Sequence, residues 1–330
     1  MTEIYLIRHA EAEGNIFRRF HGQYDSLLTP RGHRQLAYLE KRFADIPIDG
    51  CFSSDLTRTS LTAGAVYKPK NLKLIRDPRL REIHIGIWED IPYGYLDHFE
   101  AEEMTRFNHD PMAWHVPGGE DFDVHTQRFL EGMEAAAQRF DGGTIAVFAH
   151  GAVIRNTLLR LFFGKDMSKL GFSDNTGVCK LRYHKGNFSY DYLNDNSHIP
   201  EKLSTFYIQR WWRTTGRRKE SALYFLPEGY TGGDCTMTAV LSGNPVGRIV
   251  MAKPDADTGI VLSMDLIQGF DGRYYGDQLL GCAVSHFRRL GCKNLRMEPG
   301  DYPNGIFERY AFDIHTRCRG IDPKIYQLED

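Results

Sequence analysis

The apolar positions of the chain fall into short continuous runs separated by helical periodicity. Ile4-Tyr5-Leu6-Ile7 is such a run, the pattern of a strand buried on both faces, and it ends in Arg8-His9. Thr29 is placed to cap a helix and Pro30 to open it, with Leu36, Leu39 and Phe43 on its apolar face. Residues 50–54 predict a second strand, followed by a helix that opens near Arg58, and residues 72–75 predict a third strand. Residues 92 to 140 read as helical, interrupted by His115-Val116-Pro117-Gly118-Gly119-Glu120, an aromatic-rich and histidine-rich insertion suited to covering a pocket. A second long apolar run, residues 144–149, ends in His150-Gly151 and leads into a helix over 153–163. Short strands near 178–183 and 188–193 close a first domain at about His198. Strands alternating with helices predict the α/β class.

After Ala222 the pattern changes to strands at 223–225, 236–241, 246–252 and 259–266, with turns at Asn244-Pro245 and Pro254-Asp255. A helix then runs from about Phe270 to Leu290, followed by a strand at 294–297 and a helix near 306–310. Between the two patterns, Gln209-Arg210-Trp211-Trp212-Arg213 and Arg217-Arg218-Lys219 form a short basic and aromatic stretch. It reads as a linker helix that packs its tryptophans rather than as a nucleic-acid stripe. The expected organisation is therefore 1–198, a linker at 199–220 and 221–330, as a length of 330 residues leads one to expect.

Composition narrows the classes. The chain is 42% hydrophobic and 25% charged, with a formal charge of −2, so neither nucleic acid nor an anionic membrane is an expected partner. No apolar run has the length of a membrane span or a signal core. The six cysteines are scattered and form no CxxC, which fits reduced thiols and a cytoplasmic location. No cluster has metal-ligand spacing, so no metal is expected. Nothing in the sequence indicates an oligomeric state.

The candidate chemistry lies after strands, where open α/β sheets collect ligands. Arg8, His9 and His150 follow the two long apolar runs; Arg58 opens a helix after another strand; Glu82 lies in Leu80-Arg81-Glu82-Ile83-His84. Taken singly, Arg58 is an ordinary solvated helix residue and Glu82 a salt-bridge partner. Together, an imidazole to attack phosphorus and guanidinium groups to hold its oxygens are a phosphoryl-transfer set.

In this order and spacing, Leu6-Ile7-Arg8-His9-Ala10-Glu11, Ser53-Ser54-Asp55-Leu56-Thr57-Arg58-Thr59, Phe148-Ala149-His150-Gly151 and Asp174-Asn175-Thr176 closely resemble the signature blocks of the histidine phosphatase superfamily. The resemblance implies a three-layer α/β/α phosphoglycerate mutase-like domain that works without a cofactor on a small phosphorylated metabolite. It implies His9 as nucleophile, held through its other ring nitrogen by backbone, and Glu82 as proton donor to the leaving oxygen. Arg8, Arg58 and a protonated His150 would surround the phosphoryl group. Asn15, His21 and Gly151 are further candidates for binding substrate, whereas Glu11 and Glu13 are read as supporting or surface residues. Arg81-Glu82-Ile83-His84-Ile85-Gly86-Ile87-Trp88-Glu89 and Pro117-Gly118-Gly119-Glu120 resemble the phosphatase branch rather than the mutases. A mutase-type phosphotransferase and a phosphate-binding scaffold are the alternatives, the latter disfavoured by the intact catalytic set.

The C-terminal part resembles a smaller α/β domain of the GNAT acetyltransferase type. Its coenzyme A loop is matched by Arg273 and Gly276, with Gln278 where a small residue belongs. That resemblance implies acetyl-CoA as a candidate ligand of residues 221–330 and a two-activity protein as a further alternative. A packing or substrate-covering module is the plainer reading.

Overall fold

The computed structural model describes residues 1–209, 222–231, 234–270, 272–300, 302 and 306–327, and these divide into two compact units. The first comprises residues 1–12, 22–89 and 102–209. Its six strands are β1 (Thr2–Arg8), β2 (Gly50–Ser53), β3 (Leu74–Arg76), β4 (Thr144–Ala149), β5 (Val178–His184) and β6 (Asn187–Asp195), in the order β3-β2-β4-β1-β5-β6. The first four in that order are parallel; β5 runs antiparallel to β1, and β6 returns beside it.

The apolar runs become the central strands because both faces are covered. Tyr5, Ile7, Ala146 and Phe148 meet Leu39, Phe43, Ala63 and Val66 from α2 (Pro30–Phe43) and α3 (Thr57–Tyr67). Their alternates Ile4, Leu6, Ile145 and Val147 point to the other side, where α6 (Phe122–Arg139) packs on β1 and β4 with α7 (Gly151–Phe162) beside it. So α6 is a layer of the fold rather than part of a cap. Helix α2 starts as its sequence predicts: Thr29 Oγ1 accepts from Gly32 N at 3.0 Å, and Pro30 takes the first turn. The register places Leu6 opposite Val147 and Arg8 opposite Ala149, so β1 and β4 end level and deliver His9 and His150 together.

The second unit comprises residues 13–21, 90–101 and the described part of 222–330. Its strands are β7 (Tyr224–Thr231), β8 (Asp234–Leu241), β9 (Asn244–Ala252), β10 (Thr258–Leu266), β11 (Asn294–Met297) and β12 (Cys318–Gly320), in the order β12-β11-β10-β9-β8-β7. β7 to β10 form an antiparallel meander, and the helix Gly272–Arg289 connects β10 to a parallel β11. Leu279, Leu280, Ala283 and Phe287 of that helix share a core with Ile249, Met251, Val261 and Leu295.

The units change over within the expected 199–220, and two segments of the early chain, residues 13–21 and 90–101, group with the second unit as well. Phe17, in α1 (Glu13–Phe17), lies in the second unit's core. A Cβ at Gly281 would collide with the Cβ of Phe17, so the helix carries glycine where α1 crosses it. The Glu13 carboxylate is buried and bound by Arg288 at 2.7 Å and Arg319 at 2.5 Å, so it is not a surface group. Asp90 is buried among Arg19, Ser285 and His21, with Arg19 Nε at 2.6 Å. The opposed charges hold the Asp90 carboxyl well below its ordinary range despite burial, Arg19 first among them. The expected linker helix is also revised: residues 199–209 belong to the first unit and contain a 3₁₀ turn (Glu201–Leu203) and the short α8 (Thr205–Ile208), whereas residues 210–220, with both tryptophans, lie outside the described residues. Among the described residues, no helix is long and apolar enough to cross a membrane.

Burial sets a pH limit on the fold. His125, on α6, donates through Nδ1 to Asp121 O at 2.9 Å and accepts at Nε2 from Asn156 Nδ2 at 3.1 Å, an arrangement that only the neutral ring satisfies. Burial pulls its pKa down to about 4, and likewise that of His198. Both are depressed below the unfolded value near 6.5, so the unfolded chain binds more protons between about pH 6.5 and 4 and stability falls as pH falls through that window. The unfolding midpoint should therefore drop between pH 7 and 5. His125→Gln, which keeps an acceptor for Asn156 without titrating, should lose less over the same interval in a denaturant melt.

Candidate active site

The register of β1 and β4 brings the two histidine rings to 5.3 Å between centroids. His9 is almost fully buried, and its backbone N donates to Ala149 O, tying it to the end of β4. Its Nδ1 lies 2.7 Å from Ala10 O. A carbonyl can only accept, so Nδ1 carries the proton and the lone pair of the neutral ring is at Nε2. Two further bonds fix the loop: Ala10 N donates to Thr62 Oγ1 at 2.9 Å, and Asn175 Nδ2 donates to His9 O at 2.9 Å.

Arg58 is fully buried. Its guanidinium donates to Gly22 O at 2.7 Å and Tyr24 O at 2.9 Å, and its Nε to His150 Nδ1 at 3.2 Å. Burial lowers its pKa from the ordinary value, but an arginine so far from neutrality stays charged. The accepting carbonyls are held in turn by Glu89, whose carboxylate takes the N–H groups of Gly22, Gln23 and Tyr24 at 2.7–3.2 Å. Glu89 thus shapes the loop that aims Arg58.

His150 departs from expectation. Its Nδ1 accepts from Arg58, so the ring proton is at Nε2, donated to Ser54 Oγ at 2.8 Å. Ser54 continues to Thr59 Oγ1 at 2.6 Å, and Thr59 to Leu56 O at 2.7 Å. Burial, then the neighbouring Arg58 and His9, hold the His150 pKa well below its ordinary value. Desolvation and the guanidinium at its acceptor nitrogen favour the neutral ring in this arrangement, where the sequence leads one to expect a protonated imidazole around a phosphoryl group.

Glu82 sits at the start of α7. Oε2 accepts from Ala152 N at 2.9 Å, and Oε1 accepts from Val153 N at 2.7 Å and from Ile83 N at 3.1 Å. These donors favour the carboxylate, but burial outweighs them and raises the pKa. Arg81 is no partner for it, being paired with Asp55 through two donors. Arg128 holds the Glu82 segment from behind, donating to the carbonyls of Arg79, Arg81 and Glu82 while its other contacts grip the Glu120 carboxylate at 2.8 Å. Gly151 opens α7 against Arg8: a Cβ there would be 3.1 Å from Arg8 Nε. Arg8 itself donates to Ser173 O.

The first unit thus gathers Arg8, His9, Arg58, Glu82, His150 and Gly151. Asn15 and His21 belong to the second unit, where Asn15 lies on α1 and His21 Nε2 is 3.2 Å from Asp90 Oδ1. Gly276 is buried in the second turn of the helix Gly272–Arg289; the Arg273 side chain lies outside the described part of the chain. Sequence reasoning gives no role to Ser54, Glu89 or Arg128. Ser54 and Glu89 each stand inside a recognised block, but Arg128 acts on backbone carbonyls and on Glu120 and leaves no local signal. Among the described residues, no three His, Cys, Asp or Glu side chains group to hold a metal.

The α/β sheet thus sets two histidines and two arginines at adjoining strand ends, an arrangement chemically suited to holding and transferring a phosphoryl group. A family model described as Histidine phosphatase superfamily (branch 1) matches residues 4–196. Phosphoserine phosphatase 1 of Hydrogenobacter thermophilus is 31% identical over 211 residues, 63% of this chain and 98% of that protein. A Serratia proteamaculans protein named Probable phosphoglycerate mutase GpmB is 31% identical over 154 residues, 47% of this chain and 72% of its own length. Among solved structures, Bacillus stearothermophilus YhfR superposes with a TM-score of 0.57 at 28% identity, covering 61% of this chain and all 100% of that one. The Alpha-ribazole Phosphatase from Shigella flexneri gives 0.51 at 25% identity, covering 58% and 96%. The chain belongs to the histidine phosphatase superfamily, and it is a phosphatase.

Proposed function

We propose that the protein hydrolyses a small phosphomonoester through a phosphohistidine at His9. The observation that carries this reading is the Nδ1–Ala10 O bond, which commits the lone pair of His9 to Nε2 beside His150. In the first half-reaction Nε2 forms a bond to phosphorus as the ester P–O bond breaks. Glu82, whose burial raises its pKa and so favours the acid form, gives its proton to the departing oxygen. Arg8 and Arg58 balance the charge of the non-bridging oxygens, and a phosphoryl dianion drawn beside neutral His150 would favour its protonation. In the second half-reaction water loses a proton to Glu82, attacks phosphorus and frees Nε2. A rapid-quench experiment should trap acid-labile, base-stable phosphate on His9.

A phosphoglycerate mutase-type transfer is the second reading, favoured by the name of the Serratia relative. Release of inorganic phosphate from a panel of small esters, phosphoserine, α-ribazole phosphate and phosphoglycerates included, set against isomerisation of phosphoglycerate, separates the two and identifies the substrate. Because charge neutralisation is assigned to side chains, turnover should survive EDTA; loss on chelation with recovery on adding Mg²⁺ or Zn²⁺ would overturn this mechanism.

For the second unit we retain the GNAT-type reading, with coenzyme A as its ligand. Its support is the meander β7–β10 followed by a helix and a parallel β11. Arg273 and Gly276 are the residues proposed to meet the ligand. Titration calorimetry of coenzyme A into the full chain tests it, and absence of heat and of any thermal shift would remove it.

A further inference from the structure

The family match ends at residue 196, yet the chain continues along the first unit, and residues 203–206 touch the supports of the catalytic loop at four points. Leu203 O accepts from Gln35 Nε2 at 2.8 Å, and Gln35 Oε1 accepts from Glu11 N. Ser204 Oγ and Phe206 N both donate to the Asp174 carboxylate, next to the Asn175 that holds His9 O. Thr205 Oγ1 donates to Glu11 Oε2 at 2.9 Å, where Arg31 and Thr29 also bind. The Phe206 ring lies under the Arg8 guanidinium, 5.7 Å from its carbon to the ring centroid. Leu203, Ser204 and Thr205 are buried, so this segment is not a loose connection.

Arg8 is thereby confined from three sides: its NH1 on Ser173 O, Gly151 against its Nε, and the Phe206 face beneath it. A guanidinium within about 6 Å of an aromatic face is attracted to it without spending an N–H donor. That is the support a phosphate-binding arginine needs, because its donors stay directed by the pocket while its plane is fixed. Glu11 and Asp174, each one residue from a turn that touches His9, receive the other bonds of the same segment.

We propose that residues 203–206 are a strap that completes the catalytic site of this chain, and that Phe206 is the positioning residue for Arg8. The proposal rests on the reading of Arg8 as a ligand of the phosphoryl group. It locates a determinant of phosphate recognition beyond the 4–196 core that the family model matches.

The test is a double-mutant cycle in the full chain with a generic aryl phosphate as substrate and inorganic phosphate as competitive inhibitor. Phe206→Leu keeps apolar volume and removes the aromatic face, and Phe206→Tyr restores it. Phe206→Leu should raise both KM and the phosphate inhibition constant about threefold to tenfold, with a smaller change in kcat, as expected for a cation–π contact at a partly desolvated site. Phe206→Tyr should return both to the parent values. In an Arg8→Lys background, where the planar guanidinium is already gone, Phe206→Leu should add less than about twofold. If Phe206→Leu lowers the melting temperature but leaves KM and phosphate inhibition unchanged, or if its effect is equally large without Arg8, the strap is merely structural and the proposal is wrong. If Arg8→Lys itself leaves phosphate inhibition and kcat/KM unchanged, it is the reading of Arg8 that fails. Should Phe206→Leu not fold, Phe206→Met, which also keeps apolar volume and removes the aromatic face, takes its part: a raised KM and phosphate inhibition constant support the proposal, and unchanged values at lowered stability refute it.

Discussion

His9→Ala is expected to lower phosphatase turnover by about 10⁴-fold or more, the scale of losing a covalent nucleophile, while the circular dichroism spectrum and melting temperature stay close to the parent. The asymmetry follows from how the residue is held. The bonds that fix the loop run through backbone atoms: His9 N to Ala149 O, His9 O from Asn175, and Ala10 N to Thr62. Alanine keeps all of them and loses contacts of the ring alone, among them Nδ1 to Ala10 O and the approach to the His150 ring. Phosphate should still bind, because Arg8 and Arg58 are anchored independently of the ring. Normal turnover in His9→Ala, measured with an aryl phosphate, would remove the phosphohistidine mechanism altogether.

The second large effect is selective. Glu82→Gln should slow hydrolysis of alkyl phosphates by about 10²–10⁴-fold, the usual contribution of a general acid. An aryl ester with an acidic phenol should lose far less, since its oxygen departs without a proton. The amide keeps acceptor capacity for only one side of the N–H cluster from Ile83, Ala152 and Val153, so a modest loss of stability should accompany the substitution. The pH profile supplies an independent check. Burial raises the Glu82 pKa, so the protonated acid persists to higher pH than an ordinary glutamate; the alkyl rate should fall as pH rises through that pKa, and the aryl rate should not follow it. Equal losses for both ester types would reduce Glu82 to an organiser of the α7 N-terminus.

How much of the fold and site is legible in the sequence depends on the range of the interaction. β1 and β4 are legible because continuous apolar runs are a local signal, and the placement of Arg8, His9 and His150 follows from where those runs end. The charge state of His150 is not, since it depends on an arginine 92 residues away donating to one ring nitrogen. Glu11 and Glu13 are the same residue type two positions apart, and nothing local distinguishes them. One is held by Thr29, Arg31 and Thr205 in the first unit, the other by Arg288 and Arg319 in the second. Each allegiance is set by partners remote in sequence. The place of α6 as a layer and not a cap shows the same limit: amphipathic periodicity shows that a helix buries one face, not which surface receives it.

The two early segments that join the second unit bear on how the protein can be divided. A fragment ending before residue 222 would keep Glu13 but lose Arg288 and Arg319, the cations that offset its burial, and would leave Asp90 with Arg19 and His21 but without Ser285. The complementary fragment would lack Phe17 and expose the groove of Gly281 that receives it. Removal of the last hundred residues should therefore be felt first in the early segments 13–21 and 90–101, whose buried carboxylates and Phe17 lose partners.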